Sequence, residues 1–121
     1  MWIRHLSTWS VMALGAATMP PLLQPVNAAE AVPRYDPGSY CDEVAGFGGS
    51  YSELTRDGCM DMEQSAYDAL KTQWSELSPR IREYCDEVAR FGGKGSYLTL
   101  QGCVQMEQGA AARNRDRAFK F

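Results

Sequence analysis

A block of sequence occurs twice in this chain, and each copy carries two cysteines. Tyr40-Cys41-Asp42-Glu43-Val44-Ala45 returns as Tyr84-Cys85-Asp86-Glu87-Val88-Ala89. At the same offset Phe47-Gly48-Gly49 returns as Phe91-Gly92-Gly93, and Leu54-Thr55 as Leu98-Thr99. Gly58-Cys59 matches Gly102-Cys103, and Met62-Glu63-Gln64 matches Met106-Glu107-Gln108, with no gap anywhere. Such repetition means two copies of one supersecondary unit, so the fold must accommodate the same element twice.

Each copy reads as helix, glycine turn, helix. Tyr40, Val44 and Phe47 fall on one helical face with Cys41 beside it. Paired glycines at 48–49 and 92–93 stop the first helix of each copy, because glycine enters the left-handed region at little cost. Ser52 and Ser96 are placed to cap the helices that follow, with Ser50 and Glu53 a competing capping box in the first copy. A long stripe of Cys59, Met62, Ala66, Leu70, Gln73 or Trp74, and Leu77 follows. Ser78-Pro79 ends it and starts the next helix, where Ile81, Tyr84, Val88 and Phe91 continue the stripe. Leu98, Cys103, Met106 and Ala110 do so in the fourth. The fold class is therefore all-α: two repeated helical hairpins, residues 39–77 and 78–112, forming a small four-helix bundle.

In an antiparallel hairpin Cys41 and Cys59 lie at similar height on either side of the turn, as do Cys85 and Cys103. One disulfide per repeat is expected, Cys41–Cys59 and Cys85–Cys103, against a Cys41–Cys85 or Cys59–Cys103 alternative. Gly58 and Gly102, just ahead of the second cysteines, are read as letting the facing helix come close.

Residues 1–28 have the pattern of a secretory signal. Arg4 and His5 give a polar start, Leu6 to Met19 is apolar and free of acids, and Pro20, Pro21 and Pro25 break any helix. Val26-Asn27-Ala28 supplies small residues for cleavage after Ala28, and no cysteine lies nearby to carry a lipid anchor. Residues 29–38 read as a flexible lead-in and 113–121 as a basic tail. No integral membrane span is expected after signal removal. An even number of cysteines in a short exported chain places the mature protein in an oxidising compartment, periplasmic or secreted.

Loss of Arg4 takes the net charge from −3 to −4, and the charge is unevenly spread. Acids dominate from Glu30 to Leu77, the stretch from Ser78 to Ala112 is balanced, and Arg113, Arg115, Arg117 and Lys120 make the end basic. An acidic body argues against nucleic acid, which needs a basic face. Catalysis has little to stand on: the only histidine is His5, in the leader. Asp42-Glu43 and Asp86-Glu87 are neighbours that diverge on a helix, and are read as acids in a first turn. Met60, Met62 and Met106 suggest copper ligation less well than core filling. No catalytic residue, metal or cofactor is assigned.

The candidate interaction residues are Glu63 and Glu107, four positions after each second cysteine, and Arg113, Arg115 and Arg117. Glu63 and Glu107 are read as boundary residues bonded to the glycine turn or to a Tyr or Ser of the other helix. The arginines offer contact with anionic lipid or cell-wall polymer, or simply complement a helix end.

Trp74, Arg82, Cys85, Gly92-Gly93, Ser96-Tyr97, Cys103 and Glu107 resemble the pattern of small exported proteobacterial proteins with duplicated, cysteine-bearing helical hairpins. That resemblance implies a helical periplasmic protein and no activity. The order of Trp74, Arg82, Cys85 and Cys103 is also similar to the LprI-type lysozyme-inhibitor family, which implies a lysozyme as partner. The expectation is a non-catalytic protein-interaction module with a protein partner in the envelope or outside the cell. A lysozyme inhibitor is the first alternative and an envelope-acting enzyme the second.

Overall fold

The computed structural model describes Gly15 and residues 31–121. The signal, its cleavage site and residues 29–30 lie outside the described residues. Helix α1 spans Pro37–Gly46 and α2 spans Glu53–Gln73, continued by a 3-10 turn at Trp74–Glu76. Helix α3 spans Pro79–Arg90 and α4 spans Tyr97–Asn114. Among the described residues the secondary structure is entirely helical.

The helix boundaries are set by local chemistry. Asp36, Ser52, Ser78 and Ser96 each accept a hydrogen bond from a backbone N–H three residues on, which satisfies one orphan donor per helix. Pro37 and Pro79 sit at the first turn, where a missing N–H costs nothing. In the first copy the cap is Ser52; the competing box at Ser50 is not used. Gly48 and Gly49 hold φ of 89° and 97°, and Gly92 and Gly93 hold 91° and 131°, so both turns need residues without a Cβ.

Helix α1 packs on α2 and α3 on α4, and the two hairpins meet along α2 and α4. Cys41–Cys59 and Cys85–Cys103 are the two disulfides, with Cα separations of 5.6 and 5.5 Å. The second hairpin is displaced along α2: the start of α4 lies beside Glu63, ten residues into α2, or about 15 Å along its axis. The core is correspondingly off-centre. It comprises Ala66, Leu70, Trp74 and Leu77 from the second half of α2 and the link, Ile81, Cys85 and Ala89 from α3, and Tyr97, Leu100, Cys103 and Val104 from α4.

Three sequence expectations are corrected. The apolar stripes are read correctly at Cys59, Ala66, Leu70, Trp74, Leu77, Ile81 and Cys103, which are buried, but Tyr84, Phe91, Leu98, Met62 and Met106 are exposed, while Cys85, Ala89, Tyr97, Leu100 and Val104 are buried. In α1 and α3 the disulfide fixes the rotation of the helix, so the inward face follows the cysteine and the alanine four residues beyond it, Cys41 with Ala45 and Cys85 with Ala89. Met62 and Met106 are thus not core fillers. Asp42 and Asp86 are not first-turn acids, because α1 and α3 begin at Pro37 and Pro79, more than a turn earlier. Gly58 and Gly102 face open space, with nothing within 4 Å of an added Cβ. The close approach occurs at Gly95, where a Cβ would meet the Tyr35 ring at 2.8 Å.

Ahead of α1, residues 31–36 run against the second hairpin. The Tyr35 ring stacks on Tyr97 with centroids 4.7 Å apart, and its N–H donates to the Tyr97 hydroxyl at 2.8 Å. The Tyr97 hydroxyl in turn donates to the Pro33 carbonyl at 2.9 Å. The lead-in is therefore held in place from Val32, which packs against the core, onward.

Candidate functional site

Glu63 is the pivot between the two hairpins. It is 2 % exposed, one of only two buried polar residues described. The Ser96 hydroxyl donates to its Oε1 at 2.6 Å, the Tyr97 N–H to its Oε2 at 2.6 Å, and the Leu98 N–H to Oε1 at 3.4 Å. A carboxylate from one copy thus caps the N-terminus of the second helix of the other, where the helix dipole and orphan N–H groups favour negative charge. The bonding partners include a Ser and a Tyr, but they belong to the other hairpin.

The remaining acids of the repeat also act as ties. Asp42 accepts from Arg56 Nε at 2.6 Å and from the Tyr51 hydroxyl at 3.1 Å. The Arg56 bond first, then Tyr51, holds the Asp42 carboxyl below its ordinary range. Asp86 accepts from the Tyr35 hydroxyl at 2.7 Å and from Arg90 Nε at 2.9 Å. Glu43 meets Lys94 Nζ at 2.6 Å, a second link between the hairpins. Among the described residues no group of three or more His, Cys, Asp or Glu is placed to hold a metal ion.

Tyr35 makes the most pH-sensitive of these ties. Burial first, then the bond to Asp86, pushes its phenol above the ordinary value of 10.0. Since the folded state holds the proton more tightly than the unfolded chain, this contribution is present in full below about pH 10 and is lost as pH rises toward the folded value. Urea unfolding between pH 8 and pH 11 is expected to show stability falling above about pH 10, with a shallower fall in Tyr35→Phe.

Two features face outward. Phe47 and Phe91 occupy the same place in the two copies, just before the glycine pair, and are 91 % and 94 % exposed. Each is the residue at which its helix ends, with ψ of 130° and 121° in place of the helical value, which turns the ring off the helix face. The sequence reading placed them in the stripe; their position next to Gly-Gly is the signal that removes them from it. The second feature is a cleft of about 300 Å³ lined by Trp74, Pro79, Arg82, Glu83 and Asp86 with the lead-in residues Ala31 and Pro33. Trp74 Nε1 and Arg82 Nη1 are buried there without a hydrogen-bond partner among the described residues. Two such donors suit an acceptor oxygen.

Glu107 lies on α4, partly buried, and the structure gives it no hydrogen bond among the described residues. Arg113 is in the last turn of α4, and Arg115 and Arg117 follow it, exposed. The structure therefore brings Glu63 to the hairpin junction and leaves Glu107 in the second half of α4, with the three arginines at and beyond the end of that helix. No described helix is long and apolar enough to cross a membrane. No protein-family model matches the chain, and no curated protein or solved structure gives a significant match.

Proposed function

We propose that this chain is an exported, non-catalytic binding module of the bacterial envelope whose partner is a basic protein. The observation that carries the reading is the pair of exposed phenylalanines, identical in the two copies and each held at the end of a helix by a Gly-Gly turn. Exposed aromatic rings at equivalent places in two copies are the kind of side chain that serves as an interface anchor. The acidic surface of the first hairpin adds long-range attraction for a cationic protein. The disulfides fit an extracytoplasmic site, and the leader pattern fits the periplasm or secretion beyond it. The absence of histidine after His5 favours binding over acid–base catalysis.

A lysozyme is the basic protein to try first, since the chain's Trp-Arg-Cys order is similar to that of lysozyme inhibitors. The deciding experiment is affinity capture of the oxidised protein from its host's envelope, with Phe47→Ser/Phe91→Ser run in parallel. A single dominant basic protein, depleted at least about tenfold by the double substitution, is the expected result. No specific partner, or one captured equally by the double variant, overturns the reading. Lysozyme inhibition measured on the same two proteins tests that particular partner.

A further inference from the structure

The junction between the hairpins joins one feature of the repeat to another, and the chain carries a second copy of each feature away from the junction. On the α2 side of the junction stand Met62 and Glu63; on the α4 side, Ser96, Tyr97 and Leu98. Their counterparts are Met106 and Glu107 in the second half of α4, and Ser52, Glu53 and Leu54 at the start of α2. Exposure records the difference between used and unused copies. Leu98 is 46 % exposed while Leu54 is 83 %, and Met62 is 53 % exposed while Met106 is 71 %. Glu63 is buried under three hydrogen bonds, whereas Glu107 has none among the described residues.

We propose that copies of this chain associate head to tail, the Glu107 carboxylate of one capping the α2 N-terminus of the next. The occupant follows from the internal junction, because the operation that sets the second hairpin on the first can be applied again. Glu107 then meets the Ser52 hydroxyl and the Glu53 and Leu54 N–H groups, and Leu54 comes to rest beside Met106. Ser52 is placed as Ser96 is: each accepts from the N–H three residues on, and the Ser52 hydroxyl otherwise shares a bond only with the Thr55 hydroxyl at 3.0 Å among the described residues.

Charge agrees with this pairing. Glu53, Asp57 and Asp61 lie along the start of α2, and Arg113, Arg115, Arg117 and Lys120 cluster at the end of the chain. The two ends are of opposite sign and attract one another at low salt. Because the contact joins unlike surfaces it does not close on itself at two copies; it extends. It is also weaker than the internal junction. Arg56 stands where the second copy has Leu100, Glu53 where it has Tyr97, and Asn114 where the first copy has Leu70. Polar outer faces of this kind limit growth in repeat proteins, so the association is reversible.

Sedimentation velocity on the disulfide-bonded protein, from about 10 to 500 µM in low salt, tests this directly. The expected result is a weight-average mass that rises with concentration past that of a dimer and falls with added salt. Glu107→Gln and Leu54→Ser each weaken the association at least about tenfold with the helical circular dichroism unchanged, and Glu87→Gln leaves it as it was. An equimolar mixture of Glu107→Gln and Leu54→Ser recovers a dimer and goes no further, because each variant keeps one intact end. A mass that stays monomeric at the highest concentration overturns the proposal. So does a species that stops at two copies in the unsubstituted protein, or an association indifferent to Glu107→Gln. Capture of a basic partner is scored separately through Phe47 and Phe91, so failure of either idea leaves the other standing.

Discussion

Glu63→Ala is expected to destabilise the protein by about 2–3 kcal/mol in urea unfolding, while Glu107→Ala changes stability by no more than about 0.5 kcal/mol. The two residues have the same sequence neighbours and the same place in the repeat, so the comparison isolates what the junction adds. Removing the Glu63 carboxylate strands the Ser96 hydroxyl and the Tyr97 N–H in a site that excludes water. Those groups then lose charge-assisted bonds without gaining solvent, which is the costly direction of hydrogen-bond loss. Glu63→Gln restores shape and one acceptor oxygen, and is expected to recover roughly half of the loss. A result in which both glutamates matter equally, at concentrations where the protein is monomeric, would remove the junction from the account of stability.

The second large effect concerns the disulfides. Both close loops with a sequence separation of 18, so chain entropy alone predicts the same loss, about 3 kcal/mol, for opening either. All four cysteines are buried, but their neighbours differ: Cys85 and Cys103 belong to the main core cluster with Leu70, Leu100 and Val104, whereas Cys41 and Cys59 lie outside it. Replacing Cys85 and Cys103 together by alanine therefore also removes packed sulfur from the core, and is expected to cost about 1–2 kcal/mol more than the same change at Cys41 and Cys59. Thermal unfolding followed by circular dichroism checks the order: the first-hairpin variant should keep the higher midpoint. Equal midpoints would mean that the sulfurs contribute only by closing loops.

The architecture was legible because the repeat states it twice. Four helices, two glycine turns, three serine caps and the pairing of the cysteines all follow from residues that recur at one offset or from the Ser78-Pro79 step. The rotation of each helix was harder to read. Counting large apolar residues chose Tyr84, Phe91 and Met106, and passed over Cys85 and Ala89, which are small yet occupy the contact line beside a disulfide. Glu63 was singled out for its place four residues after Cys59, on the same face, and that spacing is what buries it. Its partner was not readable, since the residues that bond it lie 33 to 35 positions away in the other copy. Tyr35 and the lead-in are outside the repeat and carry no periodic signal. Only the absence of a side chain at Gly95, where the first copy has Tyr51, hinted that another ring would need the space.

Helix α2 has a consequence for what counts as a unit in this molecule. Its beginning is bonded to α1 through Cys59, and its later turns, from Glu63 through Leu70, form the floor on which α4 rests. A single uninterrupted rod thus belongs to both hairpins. Cutting the sequence between its two copies would leave the second without the floor that buries Leu100 and Val104, and the first with Leu70 and Trp74 bare to solvent. The duplicated segment is the period of the sequence without being the period of cooperativity. Folding has one domino here, and both repeats fall with it.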